Sequence, residues 1–171
     1  QGTVYNEHTY VDEDEVIPGV ISGGTFQGTV YNSSIISNGT FQGEVSNRGT
    51  ISGGTFKEAV EVYADSKPAG IEGGTFEKGM KLENFGSSIT IKDGLFDGEV
   101  SAAEGCSGML SINGGYFVNK PSLPVGSDTR FTTVSDQDGR AFQVPVNKGW
   151  SEGYETLYVP SGSPAQPNTI T

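Results

Sequence analysis

A repeat of 15 to 21 residues runs through most of this chain. Each unit begins with Ile, continues with a polar residue and a glycine-rich pair, and places Phe five positions after the Ile. In the first five units a Val or Met follows four positions later. The units begin at Ile21, Ile36, Ile51, Ile71, Ile91 and Ile112. Repetition of this kind is typical of stacked architectures, because a single unit cannot bury its apolar face alone.

The length of the repeat indicates β-structure. A unit this short cannot hold a helix pair or a propeller blade. It fits one turn of a β-coil, whose contour would be roughly 50–70 Å at about 3.3 Å per residue. Thr, Val, Ile and Phe favour strands, and the glycine pairs favour corners. We therefore predict an all-β chain, a right-handed parallel β-helix (β-solenoid) of about six to seven short rungs with a small C-terminal β cap; the right hand follows from the general crossover preference.

The residue types at matching offsets predict which side chains face inward. The position after each starting Ile is always polar: Ser22, Ser37, Ser52, Glu72, Lys92 and Asn113. This column should face outward, so the Ile, Phe and Val columns should stack inward as three ladders. Glu58 and Lys78 lie two residues after Phe, where a continuous inward strand would bury them. We therefore expect a bend there and a three-sided cross-section.

Stacking of the third and fourth units also predicts ion pairs. Identical columns in adjacent rungs lie about 4.8 Å apart. The expected pairs are Lys57–Glu77, Glu58–Lys78 and Glu61–Lys81. Each would be exposed and weak, so the pairs should specify register more than stability.

Three segments follow from where the repeat begins and ends. Residues 1–122 form the β-solenoid repeats, 123–160 a cap or small β segment, and 161–171 a linker or tail. FTTV (131–134) and AFQVPV (141–146) should form a hairpin, and 154–160 a third possible strand. Trp150 and Tyr154 are candidates to cover the last rung. Residues 1–6 repeat 27–32 letter for letter, so we expect a Gly-Gly-Thr-Phe segment before Gln1 in a longer parent protein.

The net charge and the cysteine count restrict the classes of partner and site that this chain can have. The net charge of −11 disfavours nucleic acid and anionic membranes, which require excess Lys and Arg. No apolar run approaches the roughly 20 residues that span a bilayer, so no membrane insertion is expected in this segment. Cys106 is the only cysteine, which excludes an intrachain disulfide and a zinc cluster.

The sequence contains no pattern that predicts catalytic, cofactor-binding or metal-binding residues, and no cofactor is expected. It does not identify ligand-binding residues. His8, the one histidine, lies in an irregular excursion between Asn6 and Ile21, without a nucleophile motif. The acidic run 12–15 in that excursion should be a solvated loop, and Asp136, Asp138 and Gly139 should form a turn instead of a calcium loop. No Arg neighbours a cluster of acids, as a lyase-type base would.

The residues at these offsets disfavour carbohydrate hydrolysis and ice binding. Glu44 and Glu99 share a column, but at rung spacing they would lie about 20 Å apart, too far for paired-carboxylate hydrolysis. The outward column Thr25, Thr40, Thr55 and Thr75 lacks the second Thr file of ice-binding solenoids. Sugar binding needs exposed aromatic side chains, for which Tyr31, Tyr63 and Tyr116 are candidates in different columns.

The motif I-S-G-G-T-F-x-G-x-V, ending in I-N-G-G-Y-F-V-N-K-P-S, resembles GGTF-type β-helix repeats in large adhesin-like surface proteins of gut Gram-positive bacteria. The resemblance covers residues 1–122, with departures at Asn38, Asp93 and Leu95 and in unit length. It implies extracellular or cell-surface display, with a host or environmental glycan or protein and neighbouring repeats of the parent chain as partners. The expected function is a non-catalytic structural or adhesive module; the alternative is a carbohydrate-binding or carbohydrate-active β-helix (lyase or hydrolase).

Overall fold

The computed structural model describes residues 2–12 and 15–146, together with the backbone of 155–156 and 169–170. Strands make up about half of the chain, and the one helical segment of the described residues is a 3-10 turn at Glu104–Cys106. The all-β prediction is therefore confirmed. No helix within the described residues is long and apolar enough to cross a bilayer.

The strands are short and follow the repeat. In chain order they are β1 (Val4–Asn6), β2 (Thr9–Tyr10), β3 (Val16–Ile17), β4 (Val20–Phe26), β5 (Val30–Asn32), β6 (Ile35–Phe41), β7 (Val45–Asn47), β8 (Thr50–Ile51), β9 (Thr55–Phe56), β10 (Val60–Ala64), β11 (Ala69–Ile71), β12 (Thr75–Phe76), β13 (Met80–Asn84), β14 (Ile89–Ile91), β15 (Leu95–Phe96), β16 (Val100–Ala102), β17 (Leu110–Ile112), β18 (Tyr116–Phe117), β19 (Arg130–Ser135), β20 (Ala141–Val146), β21 (Glu155–Thr156) and β22 (Thr169–Ile170).

A six-stranded parallel sheet carries the Val column. Its strand order is β1-β5-β7-β10-β13-β16, so each strand pairs with its equivalent in the next repeat. The pairing keeps one register throughout and places these side chains side by side: Val4, Val30, Val45, Val60, Met80 and Val100. Because all but Val4 are buried, this column is part of the core, as the sequence predicts.

A twelve-stranded sheet carries the Ile and Phe columns. In the first two repeats one seven-residue strand, β4 or β6, contains both columns; from the third repeat onward two shorter strands replace it. Strand β6 pairs with both β8 and β9 and so joins the two columns into one sheet. The twelve-stranded sheet is mixed, because β18 and β19 both pair with β20 in antiparallel orientation. The strands of the structure form a curled, open arrangement that includes a half-barrel.

The Phe column is a continuous stack of six rings. Successive centroids lie 4.5–5.0 Å apart, with interplanar angles of 5–9°. The rings are Phe26, Phe41, Phe56, Phe76, Phe96 and Phe117, and all except the partly exposed Phe26 are buried. The Ile column pairs in the same manner from Ile21 to Ile112. These two predicted inward columns are confirmed.

The second residue of each glycine-rich pair has a backbone that favours glycine. Its φ lies between +99° and +140° in all six repeats, at Gly24, Gly39, Gly54, Gly74, Gly94 and Gly115. An L side chain rarely adopts this region. The first residue of the pair does not need it, which is why Asn38 and Asp93 can replace glycine there. Each of these two side chains accepts a hydrogen bond from the following glycine N–H, at 2.8 and 2.6 Å.

A buried asparagine ladder lies two residues after the Val column. The Asn6 Nδ2 donates to Asn32 Oδ1 at 2.6 Å, and the Asn32 Nδ2 donates to Asn47 Oδ1 at 2.6 Å. Asn32 also bonds the backbone of Ser34 and so closes the tight corner of the 15-residue repeat. In the longer repeats Val62, Leu82 and Ala102 take this position. The sequence analysis missed this ladder.

Two of the three predicted ion pairs form. Lys57 pairs with Glu77, and Lys78 Nζ lies 2.8 Å from a Glu58 carboxylate oxygen. Glu61 and Lys81 occupy adjacent register positions, but Glu61 accepts a hydrogen bond from Tyr63 instead. A further pair, Lys92–Glu72 at 2.6 Å, was not predicted. The bend is also confirmed, because residues 57–59 and 77–79 lie between strands.

The predicted hairpin at 131–146 is confirmed as β19 and β20, and it packs against the outside of the last repeats. There the outward Thr column continues as Leu95 and then Tyr116. Tyr116 is buried with Val134, Phe142 and Val144 in a second apolar cluster. The change from Thr to apolar residues in an outward column is explained by this cover.

The structure describes the two ends of the repeat array in part. Phe131 lies edge-on against Phe117, with centroids 5.8 Å apart, at the end of the Phe stack. Trp150 and Tyr154, the predicted covering residues, lie outside the described residues, as does most of 161–171; of the third possible strand only β21 is described, paired with β22. The N-terminal excursion forms a small hairpin from β2 and β3, with Asp12 and Glu15 at its tip. The segment boundaries at 122 and 160 stay predictions.

Candidate functional site

A groove lies on the outer face of the six-stranded sheet. We refer to it as the outer groove; its volume is about 430 Å³. The side chains that decide its chemistry are Tyr31, Glu44, Arg48, Glu61, Tyr63 and Lys81. They come from four successive repeats, so the groove crosses the strands and runs in the direction in which the repeats stack.

Strand alternation explains why these side chains share one face. Successive residues of a strand point to opposite sides, and the Val column and the residue two positions later point into the core. The positions between and beyond them therefore point outward. Tyr31, Ser46, Glu61 and Lys81 occupy one outward column in direct register.

Aromatic rings are held in place on this face. Tyr31 stacks on Tyr5 with centroids 5.2 Å apart and an interplanar angle of 13°. Both rings remain exposed, Tyr31 at 41% and Tyr5 at 66%. The guanidinium of Arg48 lies 4.8 Å from the Tyr63 ring centroid, and Phe85 stacks on Tyr63 at 6.4 Å. A ring that is stacked on another ring or held by a cation has fewer accessible side-chain conformations than a free ring.

Most charged groups in the groove already have partners. The Tyr63 hydroxyl donates to Glu61 at 2.6 Å, and this hydrogen bond, with some burial, raises the pKa of Tyr63 to about 12. Lys78 Nζ bonds both oxygens of Glu58, which also borders the groove. Arg48 lies 3.4 Å from Asp65, whose pKa is lowered by hydrogen bonds from Ser66 and by Arg48.

The structure separates the candidate residues of the sequence analysis. Tyr31 and Tyr63 both line the outer groove although they occupy different columns, whereas Tyr116 is buried beneath the hairpin and cannot contact a sugar. Glu44 lies in the groove, and Glu99 does not line it. His8 lies 3.0 Å from Lys67 Nζ in the N-terminal excursion. Asp136 forms the predicted turn, accepting backbone hydrogen bonds from Asp138 and Arg140.

Glu58 and Glu61 join Glu44 in the groove, and the sequence analysis did not group these three carboxylates. The signal was present in the offsets: Glu58, Glu44 and Glu61 lie 7, 8 and 10 positions after the starting Ile of their repeats, close to the bend. Reading one column at a time paired Glu44 only with its own column. Comparing these three columns across two repeats would have found the group.

Within residues 2–12 and 15–146, no three His, Cys, Asp or Glu side chains are placed to hold a metal ion together. Cys106 is buried, its thiol 3.4 Å from the Leu82 carbonyl oxygen, and burial raises the pKa of the thiol. The outer groove is the candidate binding site among the described residues, because two tyrosine rings, charges of both signs and several hydroxyl groups border it.

The comparisons with known proteins add no relative. No protein family, curated protein or solved structure matches the chain.

Proposed function

We propose that the chain is a right-handed parallel β-solenoid that serves as a non-catalytic structural and adhesive module. Parallel, in-register pairing of equivalent strands supports a coil in which each repeat makes one turn. A right-handed path is the general preference for parallel crossovers. The stacked Phe and Ile columns supply a core that extends with every added repeat.

One observation carries the assignment of an adhesive role: the inward columns stay nearly constant while the outward column of the six-stranded sheet varies. From repeat to repeat the core positions keep Ile, Phe and Val, with Met80 as the one change in the Val column. The outward column that contains Tyr31 changes to Ser46, Glu61 and Lys81. A scaffold that holds its core and varies its display surface suits recognition better than a single reaction, which needs one fixed constellation.

The proposed location is extracellular or at a bacterial cell surface. The GGTF-type resemblance supports it, and the single buried Cys106 means that folding requires no disulfide in either redox setting. The net charge of −11 favours partners other than nucleic acid. The expected partners are a glycan or protein of a host or of the environment, and neighbouring repeats of the same parent chain.

An adhesion assay tests this proposal. Beads coated with the purified chain are passed under flow over mucin, epithelial and polysaccharide surfaces, with albumin-coated beads as the control. We expect retention above the control on at least one surface, with no release of reducing sugar. Retention equal to the control on every surface would contradict the adhesive role.

The second candidate is a carbohydrate-active β-helix, favoured by the three carboxylates in the outer groove. Glycoside hydrolysis requires an acid and a base on opposite sides of the scissile bond. Against this candidate, Glu58 and Glu61 are already engaged by Lys78 and Tyr63. Reducing-sugar assays with Glu44→Gln and Glu61→Gln distinguish the two candidates: turnover that either substitution abolishes would establish the enzyme and exclude the non-catalytic proposal.

A further inference from the structure

We infer that the outer edge of β4 is a docking surface for an extended segment with the pattern V-I-S-G-G-T-F, which pairs with β4 in parallel and stacks its Phe ring on Phe26. We refer to this edge, over Val20–Phe26, as the open edge. A neighbouring repeat of the parent chain is the partner that supplies the segment. The inference rests on the proposed function, because it gives the β-solenoid a site and a register for the contact with neighbouring repeats.

Strand β4 is exposed where its equivalent in the next repeat is covered. In the part of the chain that the structure describes, β4 pairs only with β6, whereas β6 has β4 on one side and β8 and β9 on the other. The two sequences are nearly the same, VISGGTF and IISNGTF, yet β4 has one buried residue and β6 has three. The difference in burial therefore comes from the second neighbouring strand, which β6 has and β4 lacks among the described residues.

The open edge presents backbone donors in the spacing that this fold uses for pairing. In the fourth, fifth and sixth repeats, three N–H groups donate to carbonyl oxygens of the repeat before, at 2.7–3.0 Å. They belong to the residue after the starting Ile, the residue before the Phe and the residue after it. The equivalent groups in the first repeat are the N–H groups of Ser22, Thr25 and Gln27, on the side of β4 away from β6. Such a row of donors is a template for strand addition.

The end of the Phe stack provides an apolar contact beside these donors. One face of the Phe26 ring stacks on Phe41 with centroids 5.0 Å apart, and the residue is only partly buried. A cavity of about 320 Å³ is bordered by Thr25–Gly28 on one side and by Gly2, Thr3 and Val4 on the other. A further Phe ring at the spacing of the stack would bury the second face of Phe26, which is favourable because apolar area leaves water.

The register of β1 fits a segment of this pattern. Residues 1–6 repeat residues 27–32 letter for letter, and β1 already pairs with β5 as the Val strand of one more turn. In the first repeat the Val column follows the Phe by four residues, from Phe26 to Val30. By the same count back from Val4, a Phe directly before Gln1 would be in position to stack on Phe26. The open edge and β1 thus specify the same register for the incoming segment.

Two other ways of covering the open edge are disfavoured. A second copy stacked head to tail would have to present its last repeat, but there β18 pairs with β20 and Phe131 packs edge-on against Phe117. The N-terminal excursion extends away from the edge, because His8 lies 3.0 Å from Lys67 Nζ in the corner of the third repeat. A strand of the repeat pattern is the occupant that matches both the donors and the ring.

A chain extended by VISGGTF directly before Gln1 tests the inference. Covalent attachment supplies the effective concentration that a free heptapeptide lacks. We expect the midpoint of thermal unfolding to rise by about 3 °C or more relative to the unextended chain. An otherwise identical extension that ends in Ala should give no more than about half of this rise, because no ring then covers Phe26. In the Phe26→Ala background, the extension that ends in Phe should lose its advantage over the one that ends in Ala.

Amide hydrogen exchange measured by NMR tests the register. The N–H groups of Ser22, Thr25 and Gln27 should exchange about tenfold more slowly, or slower still, in the extended chain, because each gains an acceptor. The N–H groups of β19 and β20, at the other end of the array, should keep their rates. This readout separates strand pairing from a contact that only shields the Phe26 ring.

The outcomes distinguish this inference from the proposed function. Equal unfolding midpoints for the two extensions, or unchanged exchange at the three N–H groups, would overturn the inference. A dimer of the unextended chain in sedimentation velocity that the extension dissociates would also overturn it, because a second copy would then occupy the edge. If coated beads adhere but the extension adds no stability, this inference alone is wrong. If the extension stabilises the chain but the beads adhere to no surface, the docking surface stands and the adhesive role is rejected.

Discussion

The phenylalanine of each internal repeat is buried between the equivalent rings of the repeats before and after it. Phe56 is 1% exposed and stacks on Phe41 and Phe76 at 4.7 and 4.8 Å. We expect Phe56→Ala to lower the free energy of unfolding by about 3–5 kcal/mol, because it leaves a cavity in the middle of the stack. Urea denaturation followed by circular dichroism measures it. Phe85→Ala is the matched control: that ring is 67% exposed, so a change within about 0.5 kcal/mol is expected. Equal losses in the two variants would contradict a buried Phe column.

The glycine pair of the first repeat offers a test of backbone geometry at two adjacent residues. Gly24 has φ +99°, and a Cβ built there would lie 3.6 Å from the Phe26 ring, which is an ordinary contact. Gly23 has open space around it and no positive φ. Gly24→Ala should therefore cost about 1–3 kcal/mol from backbone strain alone. Gly23→Ala should change stability by less than about 0.5 kcal/mol. Thermal denaturation of the pair compares them, and a costlier Gly23→Ala would mean the corner is misassigned.

At the scale of elements, the asparagine ladder connects the corners of the first three repeats. Asn32 is 2% exposed and bonds Asn6, Asn47 and the Ser34 backbone. Asn32→Ala should cost about 1–3 kcal/mol, because it leaves buried partners of the carboxamide with fewer hydrogen bonds. Asn119→Ala, at an exposed asparagine, should fall within about 0.5 kcal/mol of wild type. Chemical denaturation measures both variants. A neutral Asn32→Ala would show that the ladder adds nothing to stability.

The elements also show what a single sequence can and cannot predict here. The columns of Ile, Phe and Val could be predicted because the same residue types recur at the same offset. The asparagine ladder could not, because asparagine after a strand is equally typical of an exposed turn. Only the stacking of equivalent corners makes Asn6, Asn32 and Asn47 one another's partners. The Glu61–Lys81 pair was predicted from matching offsets alone. In the structure the Tyr63 hydroxyl, on the same strand as Glu61, donates a hydrogen bond to the Glu61 carboxylate instead.

For the whole molecule, the sequence could not predict which residues of different columns lie close together on the surface. Tyr31 and Tyr63 lie in different columns, so a column-by-column search separated them; curvature and register bring both to the outer groove. Leu95 stood out in the sequence only as an exception to the Thr column. The docked hairpin supplies its physical reason, since an apolar outward residue is stable where another element covers it.

That covered surface should make the stability of the molecule depend on alkaline pH. Tyr116 is buried between the last repeat and the hairpin, where it meets Phe142 edge-on at 5.5 Å. Burial, with a smaller contribution from Asp93, raises the pKa of Tyr116 to about 12, from 10.0 in the unfolded chain. Below pH 10 both states hold the proton, so this group adds no pH dependence. Between about pH 10 and 12 the unfolded state releases the proton first, so stability should fall by up to about 1.4 kcal/mol per pH unit.

Tyr116→Phe removes this dependence while keeping the ring. We expect its unfolding free energy, measured by urea denaturation between pH 9 and 11 at about half-unit steps, to fall less steeply than that of wild type. Tyr31→Phe, which removes the hydroxyl of an exposed ring, should follow the wild-type profile. The raised pKa of Tyr63 acts in the same direction in all three proteins and therefore cancels from the comparison. Identical slopes for wild type and Tyr116→Phe would mean that the hairpin does not bury this hydroxyl, because only a group shielded in the folded state can keep its proton longer than the unfolded chain does.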